Sequence, residues 1–246
     1  MARLWVIAAA SANVAACVSV ARGRGRRHGT GPRVGVLAEL KGTDAEPSVS
    51  TYYGEQFEII NKILRAEGLA EHVEPLEPEE TFSCQMYGYS GLHYLRRVAA
   101  HLALGRRVPP PGDGDAAKDP ILYQEYWRRY EAGERLTYEH LIVHSDAEGL
   151  YVPVDFERPR DLSSLKLAGD IVGSVQRLQA ECTDLAGALD MPTAMNHEAE
   201  ELWEAIETQG LGELRWQQYG VETFSCLRLL AACGVSLRTG AAIVFV

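Results

Sequence analysis

The sequence predicts a helix-rich α+β fold in a single domain with a small sheet, and three features predict it. Apolar residues recur at helical spacing in several segments, most regularly at Val175, Leu178, Cys182, Leu185 and Leu189. Two β-branched runs flank a polar knot between Leu141 and Phe156, the pattern of a hairpin near 138–156. The chain ends on Ala241-Ala-Ile-Val-Phe-Val246, an apolar run that reads as a buried strand over 241–246.

Residues 1–32 are set apart as a leader outside the fold, leaving 33–246 as the domain. The first 38 residues contain no acid but include Arg3, Arg22, Arg24, Arg26, Arg27 and Arg33. An uncharged, alanine-rich stretch from Leu4 to Ala21 precedes the arginines. Four readings of this leader compete: a secretory or lipoprotein signal, an organelle transit peptide, a reverse signal anchor, and a start codon assigned too far upstream.

A first helix starts at Ser50 or Thr51, buries Tyr53, Phe57, Ile60 and Leu64, and stops before Gly68. An acidic, proline-broken connection fills 71–80. The second helix runs from Ser90 with Leu92, Leu95, Ala99 and Leu102 inward, and Gly105 closes it. Consecutive prolines followed by Gly and Asp make 108–118 a flexible loop. Asp119-Pro120 then opens a short helix with an aromatic face of Tyr123, Tyr126, Trp127 and Tyr130.

Beyond the hairpin, the Val175–Leu189 helix breaks at Met191-Pro192. Asn196 caps an acidic helix through Thr208 that turns Leu202, Trp203 and Ile206 inward. A last helix covers Glu222 to Cys233 and ends at Gly234. The word Glu80-Thr-Phe-Ser-Cys84 recurs as Glu222-Thr-Phe-Ser-Cys226, but the flanks do not match and the separation fits no solenoid period. It reads as coincidence.

An apolar fraction of 46% and a charged fraction of 24% are those of a globular protein. The net charge of −10 argues against a general nucleic-acid binder, because such affinity comes from neutralising phosphates. The expected partner is therefore a protein of unknown kind, with no nucleic acid and no membrane for the folded domain. Five cysteines at irregular spacing, with no Cys-x-x-Cys pair, argue against zinc and disulfide frameworks. They favour a reduced intracellular compartment, with organelle or cell-envelope targeting open through residues 1–32.

Chemistry could gather at the hairpin knot, where His144, Asp146 and Glu148 fall within five residues and Asp155 follows. An imidazole with carboxylates can hold a divalent ion and activate its water. The simpler reading is a turn rich in the residues turns favour. His140 and His144 on a strand would lie about 13 Å apart, too far to share an ion. Cys84, just before a helix, is a second nucleophile candidate with His144 as its base. Phosphate-binding, dinucleotide, nucleophile-elbow and zincin fingerprints are all absent, so no cofactor and no resident metal is expected.

Two functions follow. The first is an acidic soluble binding protein, immunity- or adaptor-like, engaging its partner through His144, Asp146, Glu148 and Asp155. The alternative is a small hydrolase using a His144, Asp146 and Glu148 metal cluster, or Cys84 with His144.

Overall fold

The computed structural model describes residues 32–34, 46–86, 90–112, 115–145, 149–165, 167 and 169–245. The expected leader lies outside these residues except for Pro32. Strand β1 (Pro32–Val34) leads to helix α1 (Glu46–Ala66), and β2 (Phe82–Ser83) to α2 (Ser90–Ala103). A six-residue π-helical segment (Ile121–Tyr126) runs into α3 (Trp127–Glu131), followed by α4 (Glu139–Ile142). Strands β3 (Gly149–Val152), β4 (Arg160–Asp161) and β5 (Ile171–Ser174) come next. Helices α5 (Val175–Ala188), α6 (Glu200–Glu207), α7 (Arg215–Gln218) and α8 (Gly220–Thr239) precede the last strand, β6 (Ile243–Phe245). The α+β class read from the sequence stands.

The strands form one mixed sheet in the order β2-β1-β6-β3-β5-β4. The C-terminal strand thus lies inside the sheet, antiparallel to β1 on one side and to β3 on the other. Among the described strands only β3 and β5 pair in parallel. Alternation along the strands divides the interior in two. Leu150, Val152, Val172 and Val244 face α1, where Tyr53, Phe57, Ile60 and Leu64 form the predicted stripe. Tyr151, Ile243 and Phe245 face the other way, toward α2, α5 and α8. The sheet is therefore sandwiched between α1 and a larger helical layer.

Helix α8 is the axis of that layer. It is long and apolar enough to cross a bilayer by composition, yet 78% of its apolar window is buried inside the fold. Its end is not at Gly234, as expected, but at Gly240, whose φ of 77° supplies the left-handed cap. Gly234 instead lies mid-helix, where tertiary burial on both sides overrides its low helix propensity.

The first arm of the expected hairpin is a further correction. Leu141 and Ile142 belong to helix α4, and only the second arm is a strand. Both ends of this four-residue helix are held from distant parts of the chain. The Glu181 carboxylate on α5 accepts from the backbone N–H of His140 (3.1 Å) and of Leu141 (2.8 Å). At the other end Arg96 of α2 donates to the carbonyls of Leu141 (2.8 Å) and His144 (2.6 Å). A helix this short does not form alone. Satisfying its orphan amides and carbonyls from α5 and α2 makes the helical conformation win over the β preference of the run.

The 108–112 stretch is tied to the helical layer through its carbonyls: Tyr219 donates to Pro109 and Arg97 to Pro110. Asp119 caps the next segment as expected, accepting from the amides of Ile121 (2.9 Å) and Leu122 (3.2 Å).

Candidate functional site

The residues the sequence singles out occupy three different settings. His144 is buried, with Nδ1 2.9 Å from the Ser145 carbonyl and Nε2 3.0 Å from that of Leu150. Its ring stacks on Tyr151 at 3.9 Å. Gly149, at a φ of 124°, leaves room for it, since a Cβ there would come within 2.6 Å of the imidazole. His140 accepts the Ser174 amide at Nδ1, so its proton sits on Nε2, facing the Glu157 carbonyl. Burial pushes the His140 pKa down to about 4 and that of Glu181 up to about 8. Both therefore stay neutral at pH 7. Each histidine has its own partners, and the pair does not lie on a strand.

Asp155 is exposed and tied to Arg177 by two contacts of 2.6 and 3.1 Å. Asp146 and Glu148 lie outside the described residues. The Cys84 thiol is pushed up to about 12 by burial, the reverse of the shift an activated nucleophile needs. The strand before Cys84 and the strand of Tyr151 are three places apart in the sheet, about 14 Å at ordinary strand spacing. Among the described residues no three His, Cys, Asp or Glu side chains are grouped to hold a metal ion.

A different feature stands out on helix α6. The helix begins at Glu200 with Ala199 as its N-cap, and Asn196, the expected cap, instead accepts the Glu198 amide in the turn before it. Leu202, Ala205 and Ile206 bury one face against α8, leaving Glu200, Glu201, Glu204 and Glu207 exposed on the other. At 100° per residue, Glu200, Glu204 and Glu207 fall within about 60° of one another, a single stripe. Gly220 lets α8 approach closely: a Cβ there would meet the Ala205 carbonyl oxygen at 2.1 Å. Trp203, expected inward, is 39% exposed. It rests edge-on against Phe224 at 4.7 Å, beside the Arg228 guanidinium.

The segment from Glu198 to Leu214 holds six carboxylates and no Lys or Arg. None of the six forms an ion pair with a described residue. Several exposed acids elsewhere do so, Glu71 with Arg65, Asp115 with Lys118, Asp155 with Arg177 and Glu80 with Arg238, whereas Glu55, Glu58 and Glu131 stand exposed singly or in twos outside any such run. From Glu200 to Glu207 the three carboxylates of the stripe spread along about 10.5 Å of helix axis at 1.5 Å per residue, a mean step of about 5.3 Å, with Glu201 to one side. One DNA strand places its charges more densely, a phosphate about every 3.4 Å of its axis. An open groove of about 510 Å³ flanks the stripe between α6 and α7, lined by Glu201, Glu204, Glu207, Glu213, Leu211 and Trp216 among others.

Fold and surface together define an α+β protein that presents an unpaired acidic helix and no assembled catalytic cluster among its described residues. The sequence model of one family, described as "Putative DNA-mimic protein", matches residues 33–245, and the chain belongs to that family. No curated protein and no solved structure matches it. The first 32 residues hold five arginines and no acid. The matched part therefore carries all 34 acids against 19 of the 24 bases, a net charge of −15.

Membership supports an acidic interaction protein and gives no support to a hydrolase. It also corrects the expectation on partners, which left nucleic acid out of the function. The family's description makes nucleic acid the thing imitated. The acidic helix was visible in the sequence only as an element of structure. Its signal as a surface was the run of six acids uninterrupted by any base.

Proposed function

We propose that the protein is a decoy for DNA, occupying the DNA-binding face of a DNA-binding protein with helix α6. The observation that carries this reading is the stripe Glu200, Glu204 and Glu207, which no cation of the described fold neutralises. Proteins that bind DNA draw most of their non-specific affinity from Lys and Arg placed on phosphates. A row of fixed carboxylates offers those cations negative charge without a duplex. Family membership supports the same reading.

Such binding is exclusive with DNA and weakens as salt rises. The test immobilises the full chain and passes cell extract over it. Retained proteins should bind DNA and be released by excess duplex, but not by neutral dextran. Retention should fall at least tenfold for a variant carrying Glu200→Gln, Glu204→Gln and Glu207→Gln. Retaining no protein that duplex DNA releases would overturn the decoy reading. Equal retention by the triple variant would overturn its assignment to α6.

A further inference from the structure

Two leucines next to the acidic stripe have no cover. Leu211 is 84% exposed and Leu214 55% exposed, in the turn that joins α6 to α7. A lone exposed leucine is ordinary on a protein surface. Leu211 differs in its place: it lines the same groove as Glu204, Glu207 and Glu213. The turn is also held in shape. The Gln218 side chain donates to the Gly212 carbonyl at 3.0 Å, and the Leu214 amide to Gln217 Oε1 at 3.0 Å. The Gly210 amide returns to the Gln218 carbonyl at 2.9 Å.

Carboxylate walls repel nucleotides, phosphates and other anions. A groove of about 510 Å³ is larger than one side chain needs. The occupant its charge admits is a cationic surface that also has an apolar residue to place on Leu211. A helix that reads the major groove has both properties. It carries Arg or Lys for phosphates and guanine, and small apolar side chains for the thymine methyl group.

Resting on the decoy reading, we infer that the groove between α6 and α7 seats an arginine-bearing helix of the DNA-binding partner. Leu211 takes the place of the thymine methyl, and Glu204 and Glu207 take the place of phosphates. Arginine suits the walls better than lysine. Its planar guanidinium can bridge two carboxylates while its aliphatic stem lies along the leucine.

The probe is a fluorescein-labelled 16-residue helical peptide with arginines four apart and two leucines on the same face. A control peptide of equal charge has serines in place of the leucines. Anisotropy is followed across a salt series with the full chain. The leucine peptide should bind more tightly than the control. Leu211→Ser should weaken the leucine peptide about tenfold, leave the control unchanged and keep the salt slope. The Glu204→Gln, Glu207→Gln variant should weaken both peptides and flatten the slope. An unaltered melting curve for Leu211→Ser confirms folding, as expected for a side chain this exposed. Equal binding of the two peptides, or no effect of Leu211→Ser, would overturn the inference. The decoy reading would still stand if duplex DNA releases the captured partner, and would fall separately if it does not.

Discussion

Alanine at two glycines of helix α8 should move stability in opposite directions. At Gly220 an added Cβ would lie 2.1 Å from the Ala205 carbonyl oxygen, 2.3 Å from its carbon and 2.7 Å from the Ile206 amide nitrogen. All three are backbone atoms of α6, so no rotamer relieves the overlap, and α6 must retreat by more than about 1 Å to reach ordinary contact distance. Overpacking of this kind costs about 1–3 kcal/mol and occasionally more, outweighing a helix-propensity gain of at most about 1 kcal/mol. With backbone overlap this close the upper end applies, and a net loss of about 2 kcal/mol lowers Tm by about 4–8 °C in a chain of this size. At Gly234 the new Cβ meets only the Arg238 Nη1 atom at 3.3 Å, the far end of a flexible side chain. There the propensity gain dominates, and Gly234→Ala should raise Tm by about 1–4 °C. Thermal unfolding followed by circular dichroism reads both variants in one buffer. A Gly220→Ala midpoint within 1 °C of the parent would show that α6 is free to move, and would refute the close packing of α6 on α8. Because α6 carries the acidic stripe, Gly220→Ala should also weaken partner capture, and Gly234→Ala should not.

Two further outcomes follow. Glu181 has its pKa raised by burial from 4.5 to about 8, and Glu222 from 4.5 to about 7. The folded chain therefore keeps protons that the unfolded chain releases, so stability is fully present below about pH 4.5 and is lost as pH rises toward 8. His140, lowered from 6.5 to about 4, works in the opposite sense only below pH 6.5. Urea midpoints should accordingly fall between pH 6.5 and 8, and Glu181→Gln should flatten that decline. Identical slopes in the variant and the parent would remove Glu181 as the cause. Glu204 has like charges at three helical neighbours, Glu200, Glu201 and Glu207, each unfavourable by about 0.2–0.5 kcal/mol. Glu204→Gln should thus stabilise the protein by about 0.5–1.5 kcal/mol while weakening partner binding, and a loss of stability would contradict the unpaired state of the stripe.

The parts of the fold legible in the sequence are those decided by near neighbours. Val175, Leu178, Cys182, Leu185 and Leu189 are all fully buried as their spacing predicts. The stops at Gly68 and Gly105 have positive φ, as helix ends require. Illegible parts depend on contacts from far along the chain. The Leu141–Val143 run has the composition of a strand, yet Glu181 and Arg96 hold it as a helix from about 40 residues away on either side. The shared word Glu-Thr-Phe-Ser-Cys makes the same point. Its first copy contains strand β2 and its second lies wholly within buried helix α8. Five identical residues take two conformations because β1 pairs with one copy, while α2, α5 and α6 surround the other.

The candidate surface was hidden for a different reason. Composition counts charges without saying which are neutralised, and only the pairing in space separates them. Arginines on α1, α5 and β4 meet Glu71, Asp155 and Glu67 respectively, so those acids contribute little field beyond their own contacts. The carboxylates of α6 meet none and repel one another along the helix, a cost in stability that nearby cations would relieve. The buried Arg228 shows that a cation can lie close without relieving it. Its guanidinium packs over Phe224 at 3.9 Å and donates to the carbonyls of His197 and Gln85. That cation fastens the N-terminal approach of α6 to the core and leaves the outer stripe uncompensated. A surface charged at a cost to its own stability is what the proposed decoy requires, since that cost is recovered when another molecule's positive face meets it.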